Sequence, residues 1–238
     1  LLDLAIGFGN CRLDPGDLGR RHVTLARSVA TEACRQATNG ADFIDRVYRE
    51  TGIALDIITA APLRALSATL DRDDPVPEDG SAVPALWHWL YFLPHARQSE
   101  IGPDGHPRRG GFLPPVPLPR RMWAGGRLRW EAGNPLRVGQ QVQRVSTIRS
   151  VQHKTGRSGE LLFVLVEHRF SNQDGLALTE EHDIVYRAAA RPGDPVPPPQ
   201  QPPLAGQAAW SRSIVPDDIL LFRYSALTFN GHRIHYDR

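Results

Sequence analysis

The sequence predicts an α+β domain organised around an antiparallel sheet, and three observations predict it. Residues 122–131, 141–151, 161–170 and 176–186 are four strand-length segments, and short turns joining sequential strands are the wiring of antiparallel neighbours. In the third of them Val164, Val166, His168 and Phe170 alternate with Leu165, Glu167 and Arg169, which is the period of a strand with two unlike faces. Upstream, Leu86, Trp87, Trp89, Leu90 and Phe92 form a strongly apolar segment between Pro84, suited to the first turn of a helix, and Pro94, which stops it. The two tryptophans read as core, because large aromatics dominate cores.

The remaining elements follow in order. Residues 27–35 and 41–49 read as helices. The second places Phe43, Ile44, Val47 and Tyr48 on one face, and Thr51-Gly52 closes it as a C-cap would. Residues 53–59 are a β-rich apolar run, and helix–helix–strand of this kind says only α/β fragment. Leu63, Leu66 and Leu70 stand at helical spacing, so residues 63–70 read as a short helix and acidic 71–80 as a loop. Residues 102–119, GPDGHPRRGGFLPPVPLP, carry too much Gly and Pro to pair as a central strand and suit a loop at a pocket mouth. Residues 153–159 read as a loose polar turn and 172–175 as a tight one. Glu180, Glu181, His182 and Asp183 cluster within the fourth strand, where a polar strand face is favoured over acid/base work. Pro-rich residues 191–203 form an extended linker.

Composition bounds the function. At 238 residues, with 41% apolar and 23% charged side chains, the chain is long enough for one large or two small domains with a real core. A net charge of +2 gives no argument for nucleic acid. Cys11 and Cys34 have no CxxC spacing, so neither a zinc site nor a disulfide framework is implied, and a reduced cytoplasmic location is the default. There is no signal peptide and no apolar run long enough to cross a bilayer.

Chemistry concentrates at the end, in FRYSALTFNGHRIHYD, residues 222–237. The apolar run 219–222 reads as a strand that empties into a polar turn, with Asn230 and Gly231 tolerating left-handed backbone. Three readings stand open. The first is a strand end whose histidines are hydrogen-bonded for structure. The second is a metal site, since His232-x-x-His235-x-Asp237 offers two imidazoles and a carboxylate. The third is general acid/base catalysis by His235 with Asn230 as a fixed amide partner.

This stretch resembles the motif of the MaoC-like, hot-dog-fold enoyl-thioester hydratases and dehydratases. In that motif a histidine follows an acidic residue by five positions, and a second acidic residue lies two further on. Asn230, His235 and Asp237 occupy those positions here. TFNGHRIHYD is closer still to the type 2 hydroxyacyl-thioester dehydratase and mesaconyl-CoA hydratase group, and that resemblance runs from Pro62 to the C-terminus. Asn230 departs from the usual aspartate. An amide cannot act as a general base but can orient water or donate to a carbonyl, which leaves His235 as the proton carrier. Separately, RSVATEACRQATNGADFIDRVYRETGIALDIITAA, residues 27–61, resembles the exopolyphosphatase and guanosine pentaphosphate phosphatase family, without that family's glycine-rich phosphate loops or catalytic carboxylate.

Together the resemblances imply a phosphatase-like α/β fragment (1–61), a first hot-dog repeat (62–190), a Pro-rich linker (191–206) and the start of a second repeat carrying the motif (207–238). In a hot dog the sheet wraps a central helix, a part implied here for residues 86–92. The second repeat is expected to be incomplete, its segment after Trp210 lying as an added strand on the first repeat or staying mobile, and the chain inactive as it stands. The implied reaction is addition or removal of water across the α,β double bond of an acyl thioester. His235 and Asn230 would be catalytic, with Asp237 and His232 in support. Arg108, Arg109, Arg120 and Arg121, with Trp123, would seat the phosphates of coenzyme A or a phosphopantetheine arm. The resemblance implies no metal and no redox cofactor, an acyl-CoA or acyl-carrier-protein thioester as partner, and a homodimer as a possible assembly. A non-catalytic thioester-binding module is the rival reading, and a polyphosphate phosphatase the weaker one.

Overall fold

The computed structural model describes residues 40–108, 111–156, 159–189, Ala209 and 212–235. The helix expected at 27–35, the linker, Arg109 and Asp237 lie outside the described residues.

Helix α1, Gly40–Thr51, ends where the sequence says it should: Gly52 takes a left-handed φ of 72° and its N–H returns to the Tyr48 carbonyl at 2.8 Å. A Cβ at Gly52 would stand 2.3 Å from the Ser146 carbonyl oxygen, so glycine also permits the chain to run close along the sheet. Strand β1, Ile53–Ile57, follows at once, then helix α2, Ala60–Thr69. Four longer strands complete the sheet: β2, Arg120–Trp130; β3, Gln141–Gly156; β4, Gly159–Asn172; and β5, Gly175–Arg187. All pairings are antiparallel, in the order β1-β3-β4-β5-β2.

Even-numbered residues of β4 and β5, and of β3 as far as its irregularity after Ile148, face one way, as strand alternation requires. At one end of that face Val142, Phe170 and Leu178 pack with Ile58, Leu63 and Leu66, so α2 fills the hollow of the sheet. At the other end Val164, Val166, Ile184 and Tyr186 are covered by Phe112, Leu113, Val116 and Leu118 from the Gly/Pro-rich loop. On the outer face Arg127 pairs with Glu181 and bidentately with Asp183, at 3.0 and 3.1 Å.

Four expectations are corrected. Residues 53–57 do not belong to a separate N-terminal piece: Ile53 to Ile57 pair with Gln141 to Val145, so a boundary at residue 61 would cut through one sheet and core. The central helix is Ala60–Thr69, whereas the apolar segment 86–92 forms only a 3₁₀ turn, Trp87–Leu90. Leu86 and Phe92, on either side of that turn, both adopt positive φ, which interrupts a longer helix. Residues 153–156 and 159 continue strands rather than forming a turn, because β3 and β4 pair out to Gly156 and Gly159. Residues 219–222 are helical, inside α3, Asp218–Leu227, because Asp217 caps its N-terminus by accepting from the Leu220 N–H at 2.7 Å. The segment after Trp210 therefore meets the core as a helix, with Leu227 packed against it and Arg212 donating to the Leu70 carbonyl at 2.7 Å.

Candidate functional site

The motif turn is held by how α3 stops. Asn230 N–H bonds to the Ser225 carbonyl at 2.9 Å and Phe229 N–H to that of Ala226 at 3.2 Å, the paired bonds of a Schellman ending. The left-handed residue is Phe229, at φ 47°, and not Asn230 or Gly231 as the sequence implied. A bulky side chain there is strained, and its ring rests on His95 with centroids 5.6 Å apart. Beyond it, the Asn230 side-chain oxygen accepts from the His232 N–H at 3.1 Å, an Asx turn that fixes the loop. Arg233–His235 then make one 3₁₀ turn, whose His235 N–H donates to the His232 carbonyl at 3.1 Å.

The Gly/Pro-rich loop clamps this turn from the other side. Arg233 N–H donates to the Asp104 carbonyl at 2.9 Å. Gly105, at φ 85°, lies so near Gly231 that a Cβ on it would stand 1.7 Å from the Gly231 oxygen. His106 stacks on His232 at 3.9 Å between centroids, and the Asp104 carboxylate sits 3.2 Å from His106 Nδ1. Burial lowers the affinity of His106 and His232 for protons, and Arg121 adds to the effect at both. Burial disfavours the Asp104 anion, but hydrogen bonds from His106 outweigh it and hold that carboxyl below its usual range. Asp104, His106 and His232 place ligand atoms within 4.8 Å of one another and could hold a cation. His235 stands outside this group, its ring edge-on to His232 at 5.8 Å.

A second cluster was not singled out from the sequence as a site. Midway along the inner face of the sheet, Ser146, His168 and Glu180 are cross-strand partners in a row over β3, β4 and β5. Ser146 Oγ is 2.7 Å from His168 Nδ1. Glu180 meets His88 Nε2 at 3.1 Å and accepts from Trp89 Nε1 at 3.0 Å. Burial opposes ionisation of Glu180, yet those two donors keep its carboxyl below the usual range. Burial, with Arg144 nearby, pushes His168 down to about 4, so its ring is neutral. His88, Trp89, His168 and Glu180, with Arg144, His182, Phe92, Phe170 and Thr228, line a cavity of about 200 Å³. Thr228 is two residues before Asn230, so the cavity adjoins the motif turn. Alternation could have flagged this cluster, since His168, Glu180 and His182 all fall on the face that must be buried. Glu180 and His182 face inward while Glu181 and Asp183 face solvent, and the polar-face reading suits only the second pair.

The predicted basic seat separates. Arg121 acts electrostatically on His106, His182 and His232, and so faces the motif. Arg120 projects to the other side of β2, one residue away. Arg108 is exposed, its N–H bonded to the Glu100 carbonyl at 2.7 Å. Trp123 is 64% exposed and its ring stands edge-on to His182 at 6.4 Å. No hydrogen bond joins Asn230 to His235 among the described residues.

Comparison with known proteins bears on this arrangement. The family model for hydroxyacyl-thioester dehydratase type 2 matches residues 86–238, which include the loop clamp, the polar face and the motif. The chain belongs to that family. Its members are dehydratases and hydratases of acyl thioesters, so the chain is an enzyme of the hydro-lyase class. The chain is 48% identical over 203 residues to mesaconyl-C(4)-CoA hydratase of Chloroflexus aurantiacus, covering 84% of this chain and 70% of that one. It is 26% identical over 210 residues to the mitochondrial hydroxyacyl-thioester dehydratase type 2 of Schizosaccharomyces pombe, covering 76% and 68%. Among solved structures, HtdX of Mycobacterium tuberculosis aligns at a TM-score of 0.45 and 14% identity, over 78% of this chain and 66% of that one. The phosphatase family model Ppx/GppA matches residues 19–62. The Chloroflexus match takes in more of this type 2 dehydratase-family chain than lies between Pro62 and Arg238, so it too reaches upstream of Pro62.

Proposed function

We propose that this chain hydrates, and in reverse dehydrates, the α,β double bond of a coenzyme A or acyl-carrier-protein enoyl thioester, with a short unsaturated acyl group such as mesaconyl as substrate. The observation that carries the reading is the family match across the motif at 48% identity to a mesaconyl-C(4)-CoA hydratase. Conjugation to the thioester makes the β-carbon electrophilic. His235 takes a proton from water as the oxygen bonds to that carbon, and the π electrons move to the thioester as an enolate. The imidazolium then returns a proton to the α-carbon, so nothing beyond water is consumed and no redox cofactor is needed. The developing enolate oxygen needs a donor, a task the Asn230 carboxamide can perform because it has an N–H₂ to give. Asp237 and His232 act in support, and no metal is required. Arg121 is the cation best placed to meet a phosphate of the carrier arm, since it already faces the motif. Residues 207–238 are read as opening a second repeat, and a homodimer as the assembly. No helix among the described residues is long and apolar enough to cross a membrane, and the reaction suits the cytoplasm.

The test follows loss of the conjugated absorbance of mesaconyl-CoA and related enoyl thioesters. His235→Ala should lower kcat by roughly a hundredfold to ten-thousandfold. An alanine variant with full activity would sink the assignment, and activity that depends on an added divalent metal would favour the Asp104, His106 and His232 cluster as the working centre.

A further inference from the structure

Arg144 is the residue the reaction leaves unused, and its surroundings are unusual for an arginine. It lies on the inner face of β3, so alternation drives its side chain into the hollow of the sheet. The guanidinium is sandwiched at 5.1 Å from both the Tyr48 and the Phe92 ring centroids, and one terminal nitrogen reaches the Phe92 carbonyl at 3.4 Å. Its Nε is buried with no hydrogen-bond partner among the described residues. No carboxylate there pairs with it. Two lie within electrostatic range, and both are engaged elsewhere: Glu180 by His88 and Trp89, and Asp56 by the Phe92 and Ile57 N–H groups at 2.7 and 2.8 Å. Burial makes the cation less stable than it would be in water. Buried arginines without a carboxylate partner are rare, since the desolvation cost is large unless a planar anion is matched to the fork.

Resting on the hydratase reading above, we infer that Arg144 receives a free carboxylate carried on the acyl group, which makes the chain selective for half-thioesters of unsaturated dicarboxylic acids. Arg144 lines the cavity together with His168 and His182, whose neutral rings offer N–H donors, and Thr228 connects that cavity to the motif turn. At about 200 Å³ the space holds roughly seven waters' share of volume, enough for a short polar acyl group. A fatty acyl chain would leave Arg144, His168 and Glu180 facing hydrocarbon. Stacking on Tyr48 and Phe92, with hydrogen bonds to the Tyr48 side chain and the Phe92 carbonyl, holds the guanidinium where it lies, but none of these contacts satisfies its Nε. A carboxylate would.

The full chain and its Arg144→Gln and Arg144→Lys variants are assayed with mesaconyl-CoA, whose acyl group keeps a free carboxylate, and with crotonyl-CoA, whose acyl group has none. The wild type should favour mesaconyl-CoA. Arg144→Gln should lose roughly a hundredfold in kcat/KM on mesaconyl-CoA and less than about threefold on crotonyl-CoA, as a site built around a charged hydrogen bond discriminates. Arg144→Lys, which keeps the charge without the fork, should fall between them, and it carries the comparison if the Gln variant fails to fold. Equal losses on both substrates, or a wild type that prefers crotonyl-CoA, would overturn the assignment. Binding is measured in parallel through the fluorescence of Trp89, which lines the cavity. Mesaconyl-CoA should perturb the wild type at concentrations that leave Arg144→Gln unchanged. That readout needs no turnover, so it still decides the role of Arg144 if no thioester is hydrated and the hydratase reading alone fails. Indistinguishable titrations of the two proteins would refute it.

Discussion

The closest glycine approach among the described residues tests whether the Gly/Pro-rich loop positions the motif. A Cβ added at Gly105 would sit 1.7 Å from the Gly231 oxygen, 2.6 Å from its carbonyl carbon and 3.0 Å from the His232 Cα. All three are backbone atoms, so no side chain can swing aside. Reaching even a 3.0 Å contact requires the two loops to separate by about 1.3 Å, against a tolerance of about 0.5 Å for a catalytic group and a cost near a hundredfold for a 1 Å misplacement. Gly105 also holds φ at 85°, and an L side chain there costs about 1–2 kcal/mol. Gly105→Ala should therefore lower Tm by about 2–8 °C, the shift that such a loss gives in a domain of this size, and kcat/KM on an enoyl thioester by about a hundredfold. Gly231→Ala is the control: its Cβ would meet the Gly105 oxygen at 3.2 Å, a contact relieved by a few tenths of an ångström. Differential scanning fluorimetry and the absorbance assay read both variants. A Gly105→Ala protein within about threefold of wild-type activity would show that the loop does not set the motif's position.

Two further outcomes follow from the fold. His168 is held neutral with its proton affinity near 4, below the value of about 6.5 in an unfolded chain; the unfolded state thus protonates first as pH falls, and stability present above pH 6.5 declines by up to about 3 kcal/mol on approach to pH 4. Urea denaturation across that range should show the slope, reduced in His168→Gln; identical slopes would place the effect on the other histidines whose proton affinity burial lowers, His106, His182 and His232. Deleting residues 1–59 should lower Tm markedly, because it removes β1 and Ile58 from the sheet and core; an unchanged melt would show that the pairing with β3 contributes nothing to stability.

Strands were the most legible part of the chain. Each of β2 to β5 was placed to within a few residues because alternation and turn chemistry are local, and the two inner-face rows of β4 and β5 extend directly from that pattern. The motif's residues were legible as well, through their spacing. Their surroundings were not. Asn230 holds the His232 N–H, Gly105 meets Gly231, and His106 stacks on His232, yet these partners are separated by between 2 and 126 positions, and only the shortest of those distances leaves a trace in sequence. Arg144 was passed over for a related reason. Between Gln143 and Val145 it reads as one polar residue in a strand, and nothing local says that its face is the one that closes over a cavity.

The N-terminal boundary failed in a more instructive way. Residues 40–57 read as helix, glycine, strand, and the phosphatase-family match covers them. Helical periodicity followed by a left-handed glycine and a β-branched run specifies each element but says nothing about which strand receives the edge. Tertiary pairing decides that. Here Ser146 N–H bonds to the Gly52 carbonyl at 2.8 Å and Ile53 aligns with Val145, so the segment completes the five-stranded sheet whatever other family its wording resembles. The strand also shapes the cavity, since Asp56 fixes the Phe92 N–H at 2.7 Å and Phe92 in turn stacks on Arg144. A segment whose likeness pointed elsewhere thus builds one wall of the proposed acyl site, and its sequence need only keep the periodicities that both contexts share.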